Sequence, residues 1–118
     1  GKRGYSESKK FDDGLLFSVA AGEKLIVSIN GYGAEQVDLT ERSDVNLNNI
    51  ADMFSKTISR VNIGGYANVQ AIVTDDNKLR IYSGSYSDTS SVYVLDNNIT
   101  FRIPLLSSSY LNRGQKAQ

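Results

Sequence analysis

The amino-acid sequence predicts a small α+β domain, in which an antiparallel sheet of short strands carries one amphipathic helix on one face. Segments with apolar residues at every second position lie on both sides of a segment whose apolar residues recur every three or four positions. Turns rich in Gly, Asn and Asp separate the alternating segments, as is typical of hairpins. The chain has 118 residues, of which 40% are hydrophobic, which predicts a single domain with one core.

The first predicted hairpin begins with a strand over residues 25–29, where Leu, Val and Ile alternate with other residues. Asn30 and Gly31 follow, and both residue types tolerate the positive φ angles of tight turns. The chain is therefore expected to reverse into a short strand around residues 37–39. Another strand is expected in front of this hairpin, over residues 15–19.

The predicted helix spans residues 47–61. Its apolar residues are three, four or seven positions apart and so share one face, which we expect to pack on the sheet: Leu47, Ile50, Ala51, Phe54, Ile58 and Val61. Asn46 is placed to cap the first turn, because its side-chain oxygen can accept a free backbone N–H. The Gly64-Gly65 pair is expected to follow the end of the helix.

Strand alternation resumes after the helix. A second hairpin is predicted over residues 69–81, with its turn at 75–77. A loop of small polar residues, 83–91, separates it from two further apolar runs at 92–95 and 99–103. About seven short strands are thus expected, with the helix after the third. A single amphipathic helix cannot bury its face alone, so it should cover one side of the sheet.

Both ends of the chain are polar and lack periodic apolar residues. We expect a core over residues 15–106, an N-terminal arm over 1–13 and a C-terminal arm over 107–118. A segment too polar to bury itself can still become ordered against a neighbouring subunit. The basic residues of the two arms are therefore candidates for contacts between subunits: Lys2, Arg3, Lys9, Lys10, Arg113 and Lys116.

Composition narrows the classes of function. The chain has no cysteine and no histidine, so disulfides, thiolate metal sites and the most common general base are absent. Thirteen basic and thirteen acidic residues give a formal net charge of zero, which argues against a nucleic-acid partner or an anionic membrane. No apolar run approaches the roughly 20 residues of a membrane-spanning helix. No cofactor is expected.

Catalysis and metal binding are the weaker alternatives. Glu23, Glu35 and Glu41 are the carboxylates that a small glycosidase could use, but each lies in a polar stretch where carboxylates are ordinarily solvated. The serine-rich loop has neither a histidine nor a lysine to activate a hydroxyl. Three Asx clusters offer oxygen ligands without the spacing of a calcium-binding EF-hand loop: residues 12–14, 75–77 and 96–98. We therefore expect no enzyme activity and no metal site.

The central stretch resembles the flagellin IN motif, a hairpin-helix-hairpin unit of flagellins and hook-associated proteins with relatives among bacteriophage tail and other virion proteins. The similar segments lie between Leu25 and about Val94 and cover somewhat over half the chain: Val27-Ser28-Ile29-Asn30-Gly31, Val37-Asp38-Leu39-Thr40, Leu47 with Ile50-Ala51, Ala67-Asn68-Val69-Gln70-Ala71, Leu79-Arg80-Ile81-Tyr82-Ser83 and Ser90-Ser91-Val92. The chain lacks the long heptad-bearing terminal helices of flagellin-type filament subunits. The resemblance implies a domain that is displayed on, or joins, a repeating protein lattice, without catalysis.

Tyrosine is the last informative residue type. The seven tyrosines lie mainly in or beside predicted strands and turns, where a ring can rest on a sheet with its hydroxyl in water. Tyrosine is enriched at protein interfaces, and Tyr82, Tyr86 and Tyr32 are the candidate binding residues. We expect a non-enzymatic structural component of a repeating assembly, such as a bacteriophage tail component or capsid decoration in a virion, that contacts neighbouring subunits. Self-association is permitted. The alternative is a receptor- or glycan-binding domain of a fibre or extracellular surface appendage.

Overall fold

The computed structural model describes residues 3–95 and, in that range, contains eight strands and one helix, α1 (Leu47–Ser59). The strands are β1 (Tyr5–Lys10), β2 (Phe17–Val19), β3 (Lys24–Ile29), β4 (Tyr32–Asp38), β5 (Arg42–Val45), β6 (Gln70–Val73), β7 (Lys78–Tyr82) and β8 (Val92–Leu95). The α+β fold class is confirmed. The strands form three antiparallel sheets, however, rather than the single sheet that the sequence predicts.

Each of the two larger sheets has three strands. The β7 sheet has the order β1-β7-β6, and the β3 sheet has the order β4-β3-β8. β2 and β5 form a separate two-stranded ribbon. The β3–β4 and β6–β7 pairs are the two predicted hairpins, and both are confirmed. β1 and β8, by contrast, pair with strands that are distant in sequence, β7 and β3.

The first hairpin forms for the reason that the sequence suggests. Leu25, Val27 and Ile29 are almost fully buried, which commits one face of β3 to the core. The turn after them uses positive φ angles at both central residues, 56° at Asn30 and 82° at Gly31. The return strand β4 is longer than predicted and begins directly after this turn.

The helix begins where its cap predicts and covers the β7 sheet. The Asn46 side chain accepts a hydrogen bond from the N–H of Asn49 at 2.9 Å, which confirms the predicted N-cap. The helix ends at Ser59, two residues before the predicted end. Ser55 anchors it to β6, because its hydroxyl donates to the carbonyl of Ala71 at 3.2 Å and accepts from the N–H of Ala71 at 2.8 Å.

The predicted N-terminal arm is wrong for residues 5–10, because these residues form β1 and pair with β7. Ser6 and Ser8 face the interior, where small hydroxyl side chains can be buried without apolar periodicity. Ser8 accepts a hydrogen bond from the N–H of Leu79 at 2.8 Å. Lys9 and Lys10 are exposed residues at the end of this strand rather than parts of a free arm.

β5 is a second strand that the sequence analysis did not predict. In addition, several predicted segments lie outside the described residues. β5 carries one apolar residue in its Arg-Ser-Asp-Val sequence and forms by pairing with β2. The predicted strand at 99–103, the C-terminal arm with Arg113 and Lys116, and Lys2 lie outside residues 3–95. Within that range, α1 is too short to cross a membrane and no helix there could do so.

Candidate functional site

The outer face of the β7 sheet carries a cluster of aromatic and charged side chains. Tyr5 lies opposite Tyr82 in the β1–β7 register, and Glu7 lies opposite Arg80. These residues alternate with buried neighbours such as Ile81, so their side chains share the face that points away from α1. The rings of Tyr5 and Tyr82 meet edge to face, with centroids 5.7 Å apart.

Arg80 lies at the centre of this cluster. Its guanidinium carbon is 4.5 Å from the ring centroid of Tyr5 and 5.7 Å from that of Tyr82, within the range of cation–π attraction. Nε donates to Glu7 at 2.6 Å, and Nη1 donates to the Tyr82 hydroxyl at 2.8 Å. Burial alone would lower the pKa of Arg80, but its hydrogen bonds with Tyr82 and Glu7 outweigh burial and raise the pKa.

Arg3 extends the cluster toward the serine-rich loop. Its guanidinium donates to the carbonyls of Ser83 at 2.6 Å and Asn68 at 2.7 Å, and to the side chain of Gln70 at 3.2 Å. The same guanidinium carbon lies 5.3 Å from the ring centroid of Tyr82 and 5.6 Å from that of Tyr86. Together these residues form what we name the arginine–tyrosine face: Arg3, Tyr5, Glu7, Arg80, Tyr82 and Tyr86.

The arginine–tyrosine face is held in place by bonds within the chain. All three nitrogens of each guanidinium, in Arg3 and in Arg80, contact an acceptor of the chain itself. A partner therefore meets planar rings and guanidinium surfaces that are already ordered, and binding does not have to immobilise them. Such a face offers flat aromatic and guanidinium surfaces for stacking, with part of each guanidinium's hydrogen-bonding capacity already used within the chain.

The serine-rich loop has a structural role. The Asn30 side chain donates to Ser85 at 2.9 Å and accepts from the Ser83 hydroxyl at 2.7 Å and the Ser91 N–H at 3.0 Å. Ser90 is fully buried and accepts from the N–H of Gly4 at 2.7 Å. These hydroxyls tie the loop to the turn of the β3 sheet and to the start of the chain.

The structure brings two of the three predicted tyrosines together. Tyr82 and Tyr86 both have their ring centroids within about 6 Å of the Arg3 guanidinium carbon, and Tyr86 is largely accessible, with 58% of its surface exposed. Tyr32 lies on β4 in the other large sheet and, among residues 3–95, takes part in no ring pair or cation–π contact.

The sequence analysis missed Tyr5, Glu7 and Arg80 as members of the site. Their alternation with Ser6, Ser8 and Ile81 was the available signal, because alternate residues of a strand share one face. Arg3 was singled out as part of an arm, but it instead anchors the N-terminal segment across β6 and β7.

The carboxylates considered for catalysis have different environments. Glu23 is buried beside the start of β3, Glu35 is half-buried on β4, and Glu41 is exposed.

Asp76 lies in one of the Asx clusters considered for metal binding. It accepts from the Thr74 hydroxyl at 2.6 Å, and this hydrogen bond, with the nearby Lys78, lowers the pKa of Asp76. In the part of the chain that the structure describes, no group of three acidic side chains is placed to hold a metal ion.

Replacing Glu7 with glutamine tests the electrostatic centre of the arginine–tyrosine face. Glu7 pairs with Arg80 at 2.5 Å and Lys78 at 3.6 Å, and its side chain is only 13% exposed. We expect the free energy of unfolding to fall by about 1–2 kcal/mol, because a charge-assisted, partly buried pair is lost. Urea denaturation measures this change.

The matched control is Asp52→Asn, which removes a solvent-exposed ion pair with Lys56 on α1. Exposed pairs of this kind contribute only about 0.3–0.5 kcal/mol. Equal, small losses in the two variants would show that the Glu7 network does not stabilise the face.

No protein-family model matches the sequence, and no curated protein sequence matches it. The function is therefore argued from the arrangement of the residues.

Proposed function

We propose that the chain is a non-enzymatic structural component of a repeating assembly, and that it docks on a neighbouring protein subunit through the arginine–tyrosine face. The observation that carries this proposal is the contiguous set of cation–π and edge-to-face contacts among two guanidinium groups and three tyrosine rings on one side of the β7 sheet. Tyrosine and arginine are the residue types that most often dominate the binding energy of protein interfaces.

The neutral net charge of the whole chain favours a protein partner over nucleic acid. The face carries Arg3 and Arg80 against Glu7, with Lys78 nearby, and the whole chain has a formal net charge of zero. Nucleic-acid affinity depends mainly on free cationic groups that reach phosphates. In this face each guanidinium nitrogen already has one partner within the chain, so fewer of its N–H groups than usual remain for phosphates.

The resemblance of residues 25–94 to the flagellin IN motif supports a place in a virion, as a bacteriophage tail component or a capsid decoration protein. An exchange of N-terminal arms between subunits is not part of the proposal, because residues 5–10 are paired within their own domain. A docking face on a folded domain replaces the arm as the means of contact.

Co-sedimentation with assembled particles tests the proposal. We expect the wild-type chain, expressed in its source cells, to be found in the particle fraction of a density gradient. Tyr86→Ala should reduce its share of that fraction by about fivefold to thirtyfold, because removing an exposed interface anchor costs about 1–2 kcal/mol. The ring of Tyr86 contacts Arg3 alone among the rings and cations of residues 3–95, so the fold should be retained.

Tyr93→Ala is the matched control, because Tyr93 is 43% exposed but lies on β8, outside the arginine–tyrosine face. This variant should enter particles as the wild type does. Absence of the wild-type chain from every particle fraction would contradict the assembly proposal, and equal losses in the two variants would contradict the choice of face.

One observation favours the alternative, a receptor- or glycan-binding domain on a fibre or extracellular surface appendage. Tyr86 is exposed beside the hydroxyls of Ser87 and Thr89, which are 2.9 Å from each other at the surface. An exposed ring flanked by hydroxyls can stack on a sugar. Binding of the chain to a glycan array that is lost in Tyr86→Ala, without co-sedimentation with particles, would favour this alternative.

A further inference from the structure

Among residues 3–95, the outer edge of β4 has no hydrogen-bonded neighbouring strand. β4 is an edge strand of the β3 sheet and has β3 as its one neighbour among the described strands. The N–H of Leu39 donates to the carbonyl of Glu23 at 2.9 Å, so Val37, two residues earlier, also directs its backbone groups toward β3. The alternation of an antiparallel ladder then turns the N–H and carbonyl of Gln36 and Asp38 away from the sheet.

The geometry on the opposite side of β3 agrees with this assignment. The N–H of Asn30 donates to the carbonyl of Ser91 at 3.0 Å. By the alternation of the ladder, the even-numbered residues of β3 therefore form the backbone hydrogen bonds with β8. The odd-numbered residues, such as Leu25, are left for β4, where Leu25 lies opposite Val37. The free edge at Gln36 and Asp38 therefore follows from both neighbours of β3.

The outer edges of β6 and β1 carry protective features that β4 lacks among the described residues. The outer backbone groups of Ala71 on β6 are bonded to Ser55 of α1. β1 carries exposed Lys9 and Lys10 and a register shift, which are common devices against edge-to-edge pairing. The β4 sequence, Tyr-Gly-Ala-Glu-Gln-Val-Asp, has no lysine, arginine or proline, and its register irregularity lies near its start, away from residues 36–38.

A groove runs beside this unprotected edge. Its volume is about 250 Å³, and residues of β4 and of the segment at the end of α1 line it: Gln36, Val37, Asp38, Thr57, Arg60 and Val61. Its strand wall includes Val37, whose side chain points into the core. An added strand would place alternate side chains over this groove.

Opposite charges lie at the same edge. Glu35 is on the same face of β4 as Val37, and Arg60 is an exposed cation in the groove. Within residues 3–95, neither Glu35 nor Arg60 forms an ion pair. A second copy of the same edge carries the complementary charge for each of them, and a two-fold axis would use both contacts twice.

We propose that two copies of this chain associate about a two-fold axis by antiparallel pairing of their β4 strands, with Glu35 of each copy approaching Arg60 of the other. Gln36 and Asp38 supply the backbone hydrogen bonds, and side chains of the second copy enter the groove beside α1. This inference rests on the proposed function in that it names one neighbour in the assembly. It uses a surface separate from the arginine–tyrosine face.

Sedimentation equilibrium of the full-length chain over a range of concentrations tests the pairing. We expect a concentration-dependent rise in mass from the 12.9 kDa of one chain to twice that value. Gln36→Pro should raise the dissociation constant at least about tenfold, because proline removes a donor and blocks pairing of the edge. A single copy should tolerate it, since the Gln36 N–H faces outward and proline is accepted on edge strands.

A charge exchange tests the same interface without altering the backbone. Arg60→Glu should weaken the dimer by about fivefold to tenfold, and the double variant Glu35→Arg with Arg60→Glu should restore most of the affinity. The matched control is Lys56→Glu, which changes an exposed cation one turn earlier on α1 and should leave the dissociation constant unchanged.

The outcomes separate clearly. A monomer at all concentrations, or a dimer that resists both Gln36→Pro and Arg60→Glu, overturns the β4 pairing. If circular dichroism shows that Gln36→Pro is unfolded, the charge exchange decides alone: restored affinity supports the interface, and no response overturns it. Failure here leaves the co-sedimentation of Tyr86 variants unaffected, so the β4 inference and the proposed function can fail separately.

Discussion

Replacing Asn30 with alanine is expected to lower the free energy of unfolding by about 3 kcal/mol. The side chain forms three hydrogen bonds that hold the serine-rich loop, to Ser83, Ser85 and Ser91. Each such bond contributes about 0.5–1.5 kcal/mol, and more where a buried partner is left unsatisfied. Asn30 also has a φ of 56°, a left-handed conformation that costs alanine about 1 kcal/mol. Urea denaturation followed by circular dichroism measures the change.

Two further variants divide this effect into its parts. Asn30→Gly accepts the positive φ but removes the hydrogen bonds, so about 2 kcal/mol should be lost. Asn30→Asp keeps the acceptor for Ser83 and Ser91 and loses the donor to Ser85, so the loss should be near 1 kcal/mol. If all three variants were equally destabilised, the hydrogen bonds to the loop would not be the cause.

Asn30 also shows where sequence analysis of this fold reaches its limit. The Asn30-Gly31 turn was predictable because it depends on two adjacent residues and on the apolar alternation beside them. The hydrogen bonds from the Asn30 side chain to a loop more than fifty residues away were not predictable. A serine-rich stretch is polar whether its hydroxyls face water or bond to the rest of the chain. The N-cap at Asn46 was predictable for the same local reason as the turn.

The arrangement of sheets and the arginine–tyrosine face depend on contacts that are distant in sequence. β1 has no apolar alternation, and it forms because β7 offers a partner strand and a buried face for Ser6 and Ser8. Two of the predicted tyrosines, Tyr82 and Tyr86, lie on the face, but Arg3 reaches them across 79 and 83 positions of sequence. Composition identified an aromatic surface and could not indicate which cations would stack on it.

Tyr66 links the segment after α1 to the first hairpin, and Tyr66→Phe is expected to lower the free energy of unfolding by about 2–3 kcal/mol. Its hydroxyl is fully buried, donates to the carbonyl of Tyr32 at 2.6 Å and accepts from the N–H of Ile29 at 3.3 Å. The β3–β4 register is irregular between Val27 and Ile29, so the hydroxyl serves a backbone group that the ladder leaves without a regular partner. Phenylalanine leaves the buried N–H of Ile29 and the partly buried carbonyl of Tyr32 without this partner.

Gly33 shows how closely the hairpin surrounds this hydroxyl. Gly33 has a φ of 113°, and a Cβ atom added there would lie 2.6 Å from the Tyr66 oxygen. Tyr66→Phe keeps the aromatic ring and removes only the oxygen. It therefore tests the hydrogen bonds of the hydroxyl separately from the packing of the ring. Tyr86→Phe is the matched control and should change stability by less than about 0.5 kcal/mol, because the Tyr86 ring is largely exposed.

Alkaline pH should reduce the advantage of tyrosine over phenylalanine at position 66. Burial raises the pKa of Tyr66 above its ordinary value of 10.0, so in the unfolded chain the hydroxyl ionises first. Its contribution is complete below about pH 10 and is lost as pH rises from there toward the folded pKa, with a slope of up to about 1.4 kcal/mol per pH unit. Urea denaturation of wild type and Tyr66→Phe from pH 8 to pH 11 measures the difference. If that difference stays constant to pH 11, Tyr66 ionises equally in the folded and unfolded chain, and its hydroxyl is not protected as the structure requires.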